Sequence, residues 1–309
     1  MNKIFFKEQL SLDVYHIKVY AKEIAKNRKA GQFVIVMLNE DYAERIPLTI
    51  ADANVDEGSI SLVFQAIGAT TFKLSRLNVG DEILVVGPLG TPTHIENFGK
   101  VVCVGGGVGV APLYPICKAL YDAGNEVHVI LGARTKDLIL FEERFREVSH
   151  NLTICTDDGS YGRKGVVTLP LEELCQDEQT KPNLVIAIGP LIMMKFCALT
   201  TKKYDVKTVV SLNTIMIDGT GMCGGCRVVV DGQTKFVCVD GPEFDASGVD
   251  FDNLLARQSS FKDVEREKDH KCRLEAAVNS NAYNNNSSSN NSSNSSNSNY
   301  NNNKSVSNS

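Results

Sequence analysis

No apolar run in the 309 residues is long enough to cross a bilayer. The opening stretch, MNKIFFKEQLSLDVYHIKVY, lacks the long apolar core of a signal peptide. There is no basic stripe either. Lys and Arg number 32 against 37 Asp and Glu, a net charge of −5, so the electrostatic footprint of a nucleic-acid binder is missing. Histidine is scarce, and none of the five lies near the cysteine-rich segment after residue 210. Nine cysteines without a secretion signal point to a reducing, cytoplasmic setting in which thiols stay free or bind metal. What is present, 43% hydrophobic and 22% charged residues, is the composition of a soluble globular protein. The length suits two or three domains.

Residues 211 to 245 read SLNTIMIDGTGMCGGCRVVVDGQTKFVCVDGPEFD. Asp218, Cys223, Cys226 and Cys238 stand in the spacing Asp-x4-Cys-x2-Cys-x11-Cys. Plant-type ferredoxins hold a [2Fe–2S] cluster with Cys-x4-Cys-x2-Cys and a distant fourth cysteine, so one carboxylate replaces one thiolate here. Soft thiolates suit such clusters, and a glycine-rich loop lets the backbone curl around them. Arg227 to Val230, a turn at Asp231-Gly232, and Lys235 to Val239 read as a hairpin returning Cys238 to the loop. Two other readings stand beside this one. A zinc knuckle on Cys223 and Cys226 lacks the histidine or fourth cysteine that structural zinc takes. Asp218 before Gly219 is also ordinary turn chemistry. The other cysteines, 103, 117, 155, 175, 197 and 272, show no metal spacing and read as small buried hydrophobes.

Upstream, residues 1–97 alternate short apolar runs with turns: Val14 to Ala21, Gln32 to Leu38, Ile46 to Ala51, Ser59 to Ala66 and Glu82 to Gly87. Close-spaced strands of this kind predict a small antiparallel barrel. Residues 98–210 change pattern. Apolar runs at Lys100 to Val104, Glu126 to Leu131, Leu152 to Thr156 and Leu184 to Ile188 alternate with helix candidates at Leu113 to Ala123, Phe141 to Val148 and from Leu191. Alternation predicts a parallel sheet covered on both faces. The cluster segment spans 211–260. A charged segment, 261–278, reads as a solvated helix, and the Asn/Ser-rich stretch 279–309 has too little apolar surface to fold.

Three segments have ligand chemistry. VVCVGGGVGVAP (101–112) enters a glycine turn from a strand and leaves it in a helix, the setting in which a pyrophosphate meets unpaired N–H groups. TDDGSYGRKG (156–165) follows a strand, where Asp157 and Asp158 face ribose or nicotinamide, or form a solvated acidic turn. RIPLT (45–49) is a candidate flavin clamp, with Arg45 suited to a bidentate phosphate contact and Thr49 to a hydrogen bond. GATT (68–71) offers further phosphate contacts.

Together these motifs resemble the ferredoxin–NADP reductase superfamily over residues 1 to about 275. Within it, ERIPLTIAD (44–52), AIGPLIMMKF (187–196) and the Asp-plus-three-Cys loop are most similar to the small subunits of NADH-dependent reduced ferredoxin:NADP oxidoreductase, also described as sulfide dehydrogenase beta subunits. The electron-transfer subunits of dihydroorotate dehydrogenase come next. The resemblance implies that Arg45, Pro47, Leu48, Thr49, Gly68, Thr70 and Thr71 hold FAD. It implies NAD(H) on Gly105, Gly106, Gly107, Gly109, Asp157, Asp158, Gly189 and Pro190, and a [2Fe–2S] cluster on Asp218, Cys223, Cys226 and Cys238. It implies no acid, base or nucleophile from the chain, because the cofactors carry the chemistry. It further implies a large flavin and iron–sulfur subunit resembling the glutamate synthase small chain, with ferredoxin reached through it and electron bifurcation as the reaction type. Arg134 and Asp137 pull in opposite directions on NADP against NAD; the resemblance favours NAD.

Overall fold

A computed structural model describes residues 1–38 and 43–292, with side-chain surroundings through residue 278. The first part is a closed barrel of β1 (Asn2–Ser11), β2 (Val14–Tyr20), β3 (Phe33–Leu38), β4 (Arg45–Asn54), β5 (Ser59–Gln65) and β6 (Glu82–Leu89). All pairings are antiparallel, in the order β1-β2-β5-β4-β3-β6. Two helices join it, α1 (Lys22–Asn27) and α2 (Ala69–Arg76). The strand period of two sorts β4 cleanly: Ile46, Leu48 and Ile50 pack into the barrel core with Val34 and Val36. Arg45, Pro47 and Thr49 are left on the outer face. β1 and both helices escape the sequence pattern. β1 is too irregularly buried to alternate, and α2 begins within the GATT stretch, which has no apolar periodicity.

The second part is the parallel sheet. Its strands are β7 (Lys100–Gly106), β8 (Glu126–Ala133), β9 (Asn151–Thr156), β10 (Arg163–Lys164), β11 (Leu184–Ile188) and β12 (Lys207–Ser211). The helices α3 (Val110–Asp122), α4 (Glu142–Glu147), α5 (Thr168–Gln176) and α6 (Leu191–Lys202) connect them. The sheet order is β10-β9-β8-β7-β11-β12, with a short strand from further along the chain, β15 (Glu243–Asp245), beside β12, so strand order reverses between β7 and β11. The central strands are near-continuous apolar runs because both faces are covered. One face packs under α3 and α4 with Val14, Ala51 and Val63 of the barrel; the other holds α5 and α6. An ion pair closes the seam, with Arg144 Nη2 2.6 Å from Asp52 Oδ2.

The third part is β13 (Arg227–Val230), β14 (Gln233–Phe236), α7 (Val237–Asp240), β15 (Glu243–Asp245) and α8 (Phe251–Ser259). Asp231 and Gly232 both take positive φ, as a tight hairpin turn requires. The returning strand is shorter than the sequence reading. It ends at Phe236, and Val237 to Asp240 form a helical turn. A continued strand would send Val237 and Cys238 to opposite faces, whereas the helical turn buries both, at 0% and 1% exposure. β15 joins β12 antiparallel, stitching this segment onto the parallel sheet. The charged segment is helical and mostly exposed, as a solvated helix would be, with one side meeting α2. Its helix, α9 (Lys262–Ser292), runs on through 279–292, which the sequence reading expects not to fold. The Asn/Ser-rich residues after 292 lie outside the described residues. Among the described residues, no helix is long and apolar enough to cross a membrane.

Candidate functional site

The glycine turn is built by a close approach. β7 runs out at Gly106, a short 3-10 turn covers Gly107–Gly109, and α3 begins at Val110. A β-carbon on Gly109 would stand 2.7 Å from both Gly189 Cα and Ile188 O, so only glycine fits beside β11. Gly106 and Gly109 are thereby brought against Pro190 and Gly189, Gly105 pairs with Ile188, and Gly107 faces open space, all at the point where strand order reverses, the usual ligand crevice of an open α/β sheet. Met193, four residues into the helix-starting motif, covers both Gly106 and Gly189. The sequence reading passed over it, although its place one helical turn after Gly189 could have revealed it. Asp157 and Asp158 follow β9 on the same edge of the sheet, two strands away. Asp158 Oδ1 accepts from Ser160 N at 2.9 Å and Ser160 Oγ at 2.7 Å, and these bonds hold its carboxyl below the ordinary range.

On the barrel, Arg45, Pro47 and Thr49 share the outer face with their β3 partners Met37, Ile35 and Phe33. Leu48 points inward, leaving its backbone for any outside contact. Gly68 caps α2. Its N–H donates to Thr71 Oγ1 at 3.1 Å, and that hydroxyl in turn donates to Gly68 O at 3.0 Å. Thr70 Oγ1 donates to Glu44 Oε2 at 2.6 Å.

The cysteine loop, 212–226, has no regular secondary structure and is tied together by polar contacts. Asp218 Oδ1 accepts from Thr220 N at 2.7 Å, and Oδ2 from Cys223 N at 2.8 Å. These bonds, that to Thr220 first, lower its carboxyl below the usual range. Cys226 and Cys238 are buried with their sulfurs 3.2 Å apart, while Cys223 is exposed. Burial, followed by the neighbouring Cys226, pushes the Cys238 thiol up to about 12. A cation bound at Cys238 would favour its thiolate. Two thiolates on one tetrahedral metal at about 2.3 Å would stand about 3.8 Å apart, close to the spacing seen. Among the described residues, no three His, Cys, Asp or Glu side chains are grouped so as to hold one metal ion. A two-metal cluster asks only two protein ligands of each metal. Of the other cysteines, 103, 117, 155, 175 and 197 are buried, with Cys103 and Cys117 beside each other, and 272 is partly exposed.

The loop also touches the barrel. A β-carbon on Gly219 would stand 3.0 Å from Ile35 Cγ1 and 2.7 Å from Leu89 Cδ1. Ile35 is the direct partner of Pro47, and it belongs to the same apolar cluster as Cys226 and Cys238. The cysteine loop therefore meets the barrel at Gly219, against the β3 residue that pairs with Pro47.

Residues 213–250 match the iron–sulfur cluster binding domain of dihydroorotate dehydrogenase B, and residues 103–198 match the oxidoreductase NAD-binding domain. A Thermotoga maritima protein named as a homologue of the dihydroorotate dehydrogenase B (NAD(+)) electron-transfer subunit is 49% identical over 267 residues, covering 86% of this chain and 93% of its own. This chain belongs to that electron-transfer subunit family. A Methanocaldococcus jannaschii member, a probable electron-transfer subunit of the same enzyme, is 38% identical over 74% of this chain and 83% of its own. A solved structure described as giving insights into flavin-based electron bifurcation in an NADH-dependent reduced ferredoxin–NADP oxidoreductase superposes with a TM-score of 0.84. It is 47% identical and covers 89% of this chain and 98% of its own. The cytochrome b5 reductase domain of Ulva prolifera nitrate reductase shares the fold at 18% identity and a TM-score of 0.55. As a family member, the electron-transfer subunit is a flavoprotein-type oxidoreductase with NAD-binding and iron–sulfur-binding domains.

Proposed function

We propose that the chain is the small subunit of a ferredoxin:NAD(P) oxidoreductase of the electron-bifurcating type, passing electrons between NAD(H), FAD and a [2Fe–2S] cluster. When bound, the flavin exchanges a hydride with the nicotinamide and single electrons with the cluster. The chain's own residues bind and orient these groups. Arg45, Pro47 and Thr49 present one outer barrel face to the flavin, the backbone at Leu48 lies beside them, and Gly68, Thr70 and Thr71 receive its phosphates at the start of α2. Gly105, Gly106, Gly107 and Gly109, with Gly189 and Pro190, leave room for a dinucleotide backbone at the β7–β11 crevice. Asp157 and Asp158 stand at its ribose side. Cys226 and Cys238 make one half of the cluster cradle, Asp218 and Cys223 the other.

The observation that carries this reading is the seat of the cysteine loop on the barrel, with Gly219 against Ile35, the strand partner of Pro47. It supports a cluster held near the barrel face assigned to the flavin, as electron exchange requires. The large subunit would bind NADP(H) and reach ferredoxin, since these cysteines provide for one cluster only. A second reading, the electron-transfer subunit of a dihydroorotate dehydrogenase, draws on the names of the relatives. The large subunit that copurifies separates the two.

The test is anaerobic reconstitution of the full chain with iron, sulfide and FAD, followed by absorbance and electron paramagnetic resonance spectra with and without NADH. The reading expects a yellow-brown protein whose flavin bleaches on NADH addition and whose cluster then gives a reduced [2Fe–2S] signal. A preparation that takes up neither iron nor flavin overturns it. Asp218→Cys should keep a cluster with an altered spectrum, and Asp218→Ala should leave it labile. Unchanged cluster content and spectrum in Asp218→Ala would reassign Asp218 as a loop-ordering residue.

A further inference from the structure

Helix α9 reaches back across the molecule to the phosphate end of the flavin clamp. Two of its cations make the contact. Arg273 Nη2 donates to Ala66 O at 2.8 Å, and its guanidinium carbon lies 4.5 Å from the centre of the Phe72 ring on α2. Asp269, one turn earlier, accepts from Arg273 Nε at 2.9 Å and fixes the fork in place. Lys268 Nζ stands 2.9 Å from Glu44 Oε1, and the other oxygen of Glu44 holds the Thr70 hydroxyl at 2.6 Å. Both contacts end on the segments assigned above to the flavin phosphates. Ala66 lies two residues before Gly68, and Glu44 immediately precedes Arg45.

The electrostatics give the contact a purpose. A carboxylate hydrogen-bonded to Thr70 at the head of α2 repels a pyrophosphate. Lys268 offsets that charge, while Arg273 pins the carbonyl that leads into the Gly68 cap and covers the outer side of α2 by stacking on Phe72. We propose that α9 is a strap that retains the flavin, with Lys268 and Arg273 as positioning residues for the pyrophosphate cradle. The proposal rests on the flavin reading above and adds to it a segment outside both the barrel and the matched domains.

The experiment uses the full-length chain loaded with FAD and follows flavin fluorescence after rapid dilution, with iron content and NADH binding as checks that the rest of the molecule is intact. Arg273→Ala should release FAD about tenfold faster, and Arg273→Lys should fall between it and the parent, because charge survives but the planar fork is lost. Lys268→Ala should also speed release, by about threefold to tenfold, and adding Glu44→Gln to it should bring the rate back to within about twofold of the parent. Release rates for Arg273→Ala and Lys268→Ala within about twofold of a parent that does bind FAD overturn the strap alone. A parent chain that takes up no FAD removes the flavin reading and the strap with it.

Discussion

Two glycine-rich turns, 105–109 and 218–226, are specified in different ways. The first is held by packing. Its strand is buried on both faces, its helix follows at once, and Gly109 touches the backbone of the neighbouring strand. The second lies largely at the surface, without secondary structure, and is kept in shape by Asp218 and by the buried pair Cys226 and Cys238. A turn of the first kind forms its ligand crevice as a by-product of folding. A turn of the second kind owes much of its order to what it binds.

Removing a sulfur should therefore have the largest effect, and a local one. Cys238→Ala deletes half of the buried pair; the expected outcome is complete loss of the iron–sulfur chromophore by absorbance and iron assay. NADH binding should be unaffected. If NADH binding disappeared as well, the two turns would not be the independent devices described here. The converse substitution is Gly109→Ala. Its new methyl meets two backbone atoms at 2.7 Å, neither of which can swing aside like a flexible side chain. Overpacking of that kind costs about 3 kcal/mol at the upper end of its range. The parallel sheet should lose about that much in denaturant unfolding, and NADH affinity should fall about tenfold or more, while the cluster spectrum persists.

Away from both turns, where β15 joins the parallel sheet, a carboxyl takes a partly buried position. Glu243 Oε1 receives the Thr93 hydroxyl at 2.6 Å, and burial, against the lowering effect of that bond, raises its titration to about 7 from the ordinary 4.5. The folded state therefore keeps a proton that the unfolded chain has already lost. Stability from this group is whole below pH 4.5, declines as pH rises from 4.5 to about 7, and stays reduced above that. With partial exposure taken into account, the loss is on the order of 2 kcal/mol. Glu243→Gln still accepts from Thr93 and carries no charge. Urea midpoints measured between pH 5 and 8 should fall for the parent and stay flatter for the variant. Parallel curves would show that water reaches the carboxylate freely.

How much of this was legible in the sequence follows the same division. The central strands announce themselves as uninterrupted apolar runs, and the hairpin turn as Asp231-Gly232, because those signals are local. Cys226 and Cys238 could be paired by spacing alone. What spacing could not show is that Cys238 rides on a helical turn, since the reason is burial of Val237 beside it. The three residues of β15 carry no pattern of their own; only pairing with β12 makes them a strand. The docking of α9 was hidden for a related reason. Its acidic and basic residues alternate along the segment, and nothing local distinguishes Lys268 and Arg273, which meet the barrel, from neighbours that meet water. Asp218 remains the sharpest case: the sequence offers it as a ligand or as a turn residue, and the structure shows both carboxylate oxygens engaged with backbone N–H groups of the loop.

The smallest effect should come from a glycine in the second turn. Gly224 has φ of +66°, and a β-carbon there would meet only the Phe236 ring, at 3.8 Å. Space is open, so the cost of Gly224→Ala is conformational, about 1 kcal/mol for a non-glycine residue in the left-handed region. It should therefore be felt where the loop has little else to stabilise it. The reconstituted cluster should be formed in full but lost a few times faster on exposure to a chelator, with unfolding of the parallel sheet unchanged. A methyl group of the same size thus costs about threefold more free energy at Gly109 than at Gly224. The difference lies in whether the neighbour it meets is fixed backbone or solvent, and equal costs at the two positions would mean that packing and ligand binding shape these turns alike.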